Sequence, residues 1–130
     1  MRALALLLLV TASAGAEPGP ARRPPPTVEI RMPKVTGPLD ANIVRRYLMR
    51  NRSKLQYCYE KQLSITPGVE GAMKAAWEIK PDGKVVNVGT FGLDGEVAAC
   101  TKRVLELIEY PKPRQGKSAA VDVAFIMRQP

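Results

Sequence analysis

The sequence predicts an α+β domain of two layers, with two helices packed on a three-stranded antiparallel sheet. Three observations predict it. Periodic segments follow one another in the order helix, strand, strand, helix, strand; a tight-turn signal separates the two adjacent strands; and each helical segment carries one cysteine on its apolar side. A hairpin, a crossover helix and a third strand place that last strand beside the first one, and both helices then cover one sheet face.

Asp40, preceded by Leu39, has the place of a helix N-cap. A long helix is expected from Ala41 to about Leu63, because Ile43, Val44, Tyr47, Leu48, Leu55, Cys58, Tyr59 and Leu63 recur largely at three- and four-residue spacings. Tyr47, Tyr57 and Tyr59 lie within or beside that stripe and read as packing residues. Pro67-Gly68 ends the element.

Met73, Ala75, Trp77 and Ile79 then alternate with Lys74, Ala76, Glu78 and Lys80, which puts the first set on a buried strand face. Pro81-Asp82-Gly83-Lys84 supplies the hairpin turn, with Asp-Gly where positive φ is needed. Val85, Val86 and Val88 form the return strand, which Gly89 and Gly92 bend or break. Asp94 or Gly95 opens the second helix, whose stripe is Val97, Ala98, Cys100, Thr101, Val104, Leu105 and Ile108; Pro111 and Pro113 close it. The last strand runs from about Ala119 to Met127, with Val121, Val123, Phe125 and Met127 on one face.

Upstream of the domain, residues 17–38 hold seven prolines, among them Pro24-Pro25-Pro26 beside Arg22 and Arg23. Proline fixes φ and lacks an N–H, so this stretch reads as an extended linker, either a plain spacer or a proline-rich ligand. Within it Val28, Ile30 and Met32 alternate with Glu29 and Arg31, the pattern of a short edge strand that Pro33 stops.

Residues 1–16 have the layout of a cleavable signal peptide: Arg2, an apolar run from Ala3 to Val10, and small residues ending Ala14-Gly15-Ala16. The apolar stretch is about 14 residues long even when counted to Ala16, short of the roughly 20 that span a bilayer. Cleavage before Glu17 would leave a chain long enough for one domain with a modest core, working in the periplasm or outside the cell. In that oxidising setting Cys58 and Cys100 are read first as a disulfide stapling helix to helix across the core, against two buried free thiols.

The sequence contains no histidine, which removes the commonest general base and the commonest metal ligand, and leaves Ser53, Ser64 and Ser118 without an activating partner. No catalytic residue, metal site or cofactor is expected. The formal net charge of +8 makes an anionic partner reasonable. Arg45, Arg46, Arg50, Arg52, Lys54 and Lys61 crowd the first helix, but they spread around it, which suits a solvated face as well as a polyanion-binding one. Export argues against nucleic acid.

A set of residues resembles a known family. Gly37-Pro38-Leu39, the run Leu55-Gln56-Tyr57-Cys58-Tyr59-Glu60-Lys61-Gln62-Leu63, Gly71, Ile79-Lys80-Pro81-Asp82-Gly83-Lys84-Val85, Val97-Ala98-Ala99-Cys100 and Tyr110-Pro111-Lys112-Pro113 look like the TonB C-terminal domain. They are closer still to the AgmX/PglI C-terminal family associated with gliding-motility proteins. The resemblance covers residues 37–127. It implies a domain over 39–130 that binds extended peptides by strand addition through its last strand, here Val121, Asp122, Val123, Ala124, Phe125, Ile126 and Met127. Two readings of that strand stand side by side: a free template for a partner, or a strand whose edge is covered by the tail or by residues 28–32. TonB proteins have a membrane-spanning helix where this chain has a signal peptide. The expectation is therefore a non-enzymatic envelope adaptor, in transport or gliding motility, rather than an energy transducer. The alternative is a cationic domain binding an anionic envelope polymer.

Overall fold

The computed structural model describes Thr11, Gly15 and residues 24–130. Apart from Thr11 and Gly15, the expected signal peptide lies outside the described residues, as does the start of the proline-rich segment. The elements are β1 (Thr27–Ile30), β2 (Lys34–Thr36), α1 (Ala41–Arg50), α2 (Arg52–Leu63), β3 (Gly71–Ile79), β4 (Val85–Phe91), α3 (Gly95–Glu106) and β5 (Ala119–Arg128), with a short 3-10 turn at Arg114–Gly116. The fold is α+β, with three α-helices and five strands among the described residues rather than two and three.

The extra helix comes from a break in the expected long one. Residues 50–54 hold no apolar side chain, so no apolar contact packs that stretch into the core. Asn51 leaves helical geometry at φ −103°, ψ 7°. Its Nδ2 donates to the carbonyl oxygen of Tyr47 at 2.9 Å, a local bond of the kind by which asparagine competes with helix continuation. Its own carbonyl oxygen then accepts from Lys54 and Leu55, starting α2. At the other end, Asp40 caps α1 by accepting from the Asn42 N–H at 2.7 Å.

The extra strands come from the proline-rich segment. β1 and β2 both pair antiparallel with β5, flanking the interruption at Pro33. The sheet order is β1-β5-β3-β4, with β2 also on β5, and every pairing is antiparallel. The short edge strand expected within the linker forms as β1, though it ends at Ile30, and β2 joins it in completing the sheet; Met32 lies beyond the end of β1 and is 59% exposed.

The inner face carries Val28, Ile30, Met73, Ala75, Trp77, Ile79, Val121, Val123, Phe125 and Met127, all buried against Val44, Leu48, Leu55, Tyr59, Val97 and Leu105 of the helices. Removing each large side chain from water contributes about 1.5–3 kcal/mol before entropy is charged. The opposite face, with Ala72, Lys74, Asp122 and Phe91, is open.

One irregularity redirects β4. Ala76 pairs with Gly89 but Glu78 pairs with Val86, so Asn87 and Val88 together oppose Trp77. Asn87 takes φ 56° to make this bulge, a conformation that asparagine tolerates better than most residues. Val88 stays buried, Val86 does not, and Thr90 faces the helical layer, donating from Oγ1 to the Ala98 carbonyl at 2.8 Å. Asp94 then caps α3 by accepting from Glu96 N–H at 2.8 Å and Val97 N–H at 3.3 Å.

Candidate functional site

Cys58 and Cys100 form a disulfide joining α2 to α3, with Cα atoms 5.6 Å apart and a sequence separation of 42. The expected pairing is found, helix to helix, and Cys58 is buried, but the bond lies toward the outer side of the helical layer rather than through the middle of the core. Leu55 and Tyr59 of α2 point into the core cluster, whereas Cys58 faces α3, and Cys100 is only half-buried. The bond therefore clamps the outer side of the helical layer.

Of the two readings of the β5 edge, the free template is corrected and the edge covered by the segment around residues 28–32 is the one the pairing matches. β5 is an interior strand: residues from Ala119 to Met127 pair with β3, while Val28, Glu29 and Ile30 pair with Met127, Ile126 and Phe125 on the other side. Val35 faces Val121 and Lys34 faces Asp122 there, and Arg31 N–H donates to the Ala124 carbonyl at 3.1 Å between the two short strands. Both hydrogen-bonding edges of residues 121–127 are thus engaged, because the segment before the domain folds onto them. Val121, Val123, Phe125 and Met127 are core residues; Asp122, Ala124 and Ile126 face the open side.

The new outer edge, on β1, is covered in turn. Its carbonyls at Pro26 and Val28 accept side-chain hydrogen bonds from α2, Gln56 Nε2 reaching Pro26 and Arg52 Nε reaching Val28 at 2.9 Å. Alternate carbonyls on a strand point the same way, so two α2 side chains one helical turn apart serve both. At the far side of the sheet, β4 pairs with β3 alone, and no strand lies along its outer edge among the described residues. Phe91 at its end is 57% exposed. The edge residues Val85–Phe91 were not anticipated as a site; the signal was the absence of any strand pattern left to pair with them.

The six basic residues do not act as one surface. Arg52 is spent on β1. Arg50 stacks over the Tyr47 ring, its guanidinium carbon 4.7 Å from the centroid, a cation–π contact. Arg45 is half-buried, and Arg46, Lys54 and Lys61 are exposed. None of the six makes an ion pair among the described residues.

Tyr57 is not a packing residue: it stands 62% exposed on the outer side of α2. Tyr47 is half-buried beside Tyr110, and the ring of Tyr110 also stacks on Trp77, with centroids 5.6 and 6.5 Å away. The hydroxyl of Tyr59 donates to the Val69 carbonyl at 2.5 Å, and burial, with Glu70 adding to it, raises its pKa. Asp82 sits at the exposed hairpin turn, where the Lys84 N–H bonds its carboxyl at 3.0 Å and lowers its pKa. Among the described residues, no three His, Cys, Asp or Glu side chains gather as a metal set, and no helix is long and apolar enough to cross a membrane. No family model, curated protein or solved structure matches this chain.

Proposed function

We propose that this chain is an exported, non-enzymatic protein–protein interaction module with a TonB C-terminal-like domain, serving as an adaptor of the cell envelope. Its partner adds an extended segment along β4. The observation that carries this reading is the asymmetry of the two sheet edges. The β1 edge is closed by short strands, prolines and α2 side chains, whereas β4 offers the main-chain groups of Val85–Phe91. An unpaired edge is a template for strand addition, and natural sheets usually cover or blunt theirs. The bulge at Asn87 restricts the usable part to the regular stretch from Gly89 to Phe91, where the exposed Phe91 ring adds an apolar contact. The disulfide suits the oxidising compartment that export implies.

Site-specific photo-crosslinking in the native envelope tests the proposal. A crosslinker at Val86 or Phe91 should trap a protein partner that survives high salt, and one at Lys34, beside the opposite edge, should not. Crosslinks obtained only at Arg46, Lys54 or Lys61, and lost as salt rises, would overturn it in favour of the anionic-polymer reading.

A further inference from the structure

The outward side of the helical layer holds a feature that strand addition does not use. Between α2 and α3 lies a hollow of about 400 Å³ floored by the Cys58–Cys100 bond and walled by Tyr57, Val104 and Leu107. Beyond the disulfide a second hollow of about 300 Å³ continues along the same two helices to Ile65. Both cysteines and Arg103 line both hollows, so the two form one trough with the disulfide at its middle.

Two properties of this trough stand apart from the rest of the surface. Leu107, Ile65 and Tyr57 are 81%, 69% and 62% exposed and all border it. Single exposed apolar side chains are ordinary, but three around one concavity mark a contact surface. Its rim is also cationic: Lys54, Lys61 and Arg103 face Glu96 as the single acid lining it, and none of these three cations makes an ion pair among the described residues.

We infer that the trough between α2 and α3 docks an acidic amphipathic segment of a partner protein, its apolar side chains on Tyr57, Leu107 and Ile65 and its carboxylates on Lys54, Lys61 and Arg103. Charge complementarity chooses acidic residues, and the apolar floor excludes a purely ionic polymer, which would leave it in water. Concavity selects an inserted segment over a flat bilayer surface. From Ser53 to Gln62 the groove wall is about 14 Å long at 1.5 Å per residue, which fits two to three turns of a partner helix. The disulfide holds the walls at fixed spacing, so the groove is pre-organised and little ordering is charged against binding.

The test uses the disulfide-bonded protein, labelled for NMR, and a synthetic helical peptide of about fifteen residues with leucines on one face and glutamates on the other. Amide shifts should concentrate in residues 53–65 and 100–107. Lys54→Glu with Arg103→Glu, and separately Leu107→Ser, should each weaken binding by roughly tenfold or more, while Lys74→Glu on the open sheet face leaves it within about twofold. All these positions are exposed, and an unchanged far-field spectrum in each variant certifies folding. The proposal is overturned if a peptide with lysines in place of glutamates binds as well, if shifts map to β4, if millimolar peptide moves no amide, if anionic vesicles perturb the trough residues and the peptide does not, or if the trough proves to be a self-association surface of the free protein. Because the β4 edge lies elsewhere, failure here leaves strand addition untouched, and the reverse holds.

Discussion

Arg52 Nε donates to the carbonyl oxygen of Val28 at 2.9 Å, tying the first turn of α2 to the outermost strand of the sheet. With Gln56 on Pro26, this turns a strand edge into a helix-capped one. A charge-assisted hydrogen bond to a half-buried carbonyl is worth about 1–2 kcal/mol. Arg52→Ala should lower unfolding free energy by about that much, Arg52→Lys should recover part of it, and the Arg52→Ala/Gln56→Ala pair should speed amide exchange in β1 and the facing half of β5. Denaturant titration and hydrogen exchange check both. Unchanged protection of Val28 and Ile30 in the double variant would mean that pairing with β5 alone holds the segment.

The Cys58–Cys100 bond closes a loop of 42 residues, for which the chain-entropy account gives about 4 kcal/mol of stabilisation. Because it lies at the outer rim of the helical layer and the core cluster does not depend on it, Cys58→Ala/Cys100→Ala should cost about 2–4 kcal/mol yet remain folded in dilute buffer. Denaturant midpoints with and without reductant should show the same loss in the wild type and none in the variant. Two reactive thiols in native, non-reducing preparations would contradict the bond itself.

Strand β3 was legible because alternation is an unambiguous signal when one face is buried: Met73, Ala75, Trp77 and Ile79 fall on the core side as their spacing requires. The same holds for Val121 to Met127, though spacing says which face is buried and nothing about which edges are paired. Edge pairing depends on what folds alongside: the alternation at Val28 and Ile30 showed a short strand, but its partner strand could not be chosen from spacing, and the surrounding prolines spoke equally for a linker. β2 has only three residues, too few for any period to register. Asn51 is one polar residue among five consecutive non-apolar ones, and only the geometry reveals that the helix stops there. Tyr57 was misplaced because it neighbours the stripe only in sequence: two residues from both Leu55 and Tyr59, it lies about 200° around the helix from them, on the outer side.

The hairpin turn was legible as a turn but not as a tertiary contact. Gly83 has φ 86°, and a Cβ there would overlap the carbonyl oxygen of Tyr110; its own carbonyl accepts from the Tyr110 N–H at 2.9 Å. Gly83→Ala therefore meets both a positive-φ strain and a backbone collision that no side-chain rotation relieves. The expected loss is about 3 kcal/mol or more, well above the roughly 1 kcal/mol of an ordinary turn glycine. Asp82→Ala, which removes only the exposed bond to the Lys84 N–H and an exposed ion pair with Lys80, should be far milder. Equal midpoints for the two variants would show that residues 83 and 110 are not in close contact.

Tyr110 carries the last prediction. Its side chain is buried against Trp77 and Tyr47, and its hydroxyl has no hydrogen-bond partner among the described residues. A buried, unpaired hydroxyl is a desolvation cost, so Tyr110→Phe, which keeps the ring stacking, should be neutral or stabilising by up to about 1 kcal/mol. The same burial pushes its pKa far above the ordinary 10.0. A pKa raised by folding means that the native state holds the proton and the unfolded chain releases it. The native advantage is therefore intact below pH 10 and is lost as pH rises beyond it toward the folded value. Tyr59, raised in the same direction, adds to the fall. Denaturant midpoints should drop between about pH 9 and pH 11, and Tyr110→Phe should flatten that drop while leaving the contribution of Tyr59. An identical alkaline slope in the two proteins would mean that Tyr110 ionises in the native state, which requires its hydroxyl to reach solvent or a cation.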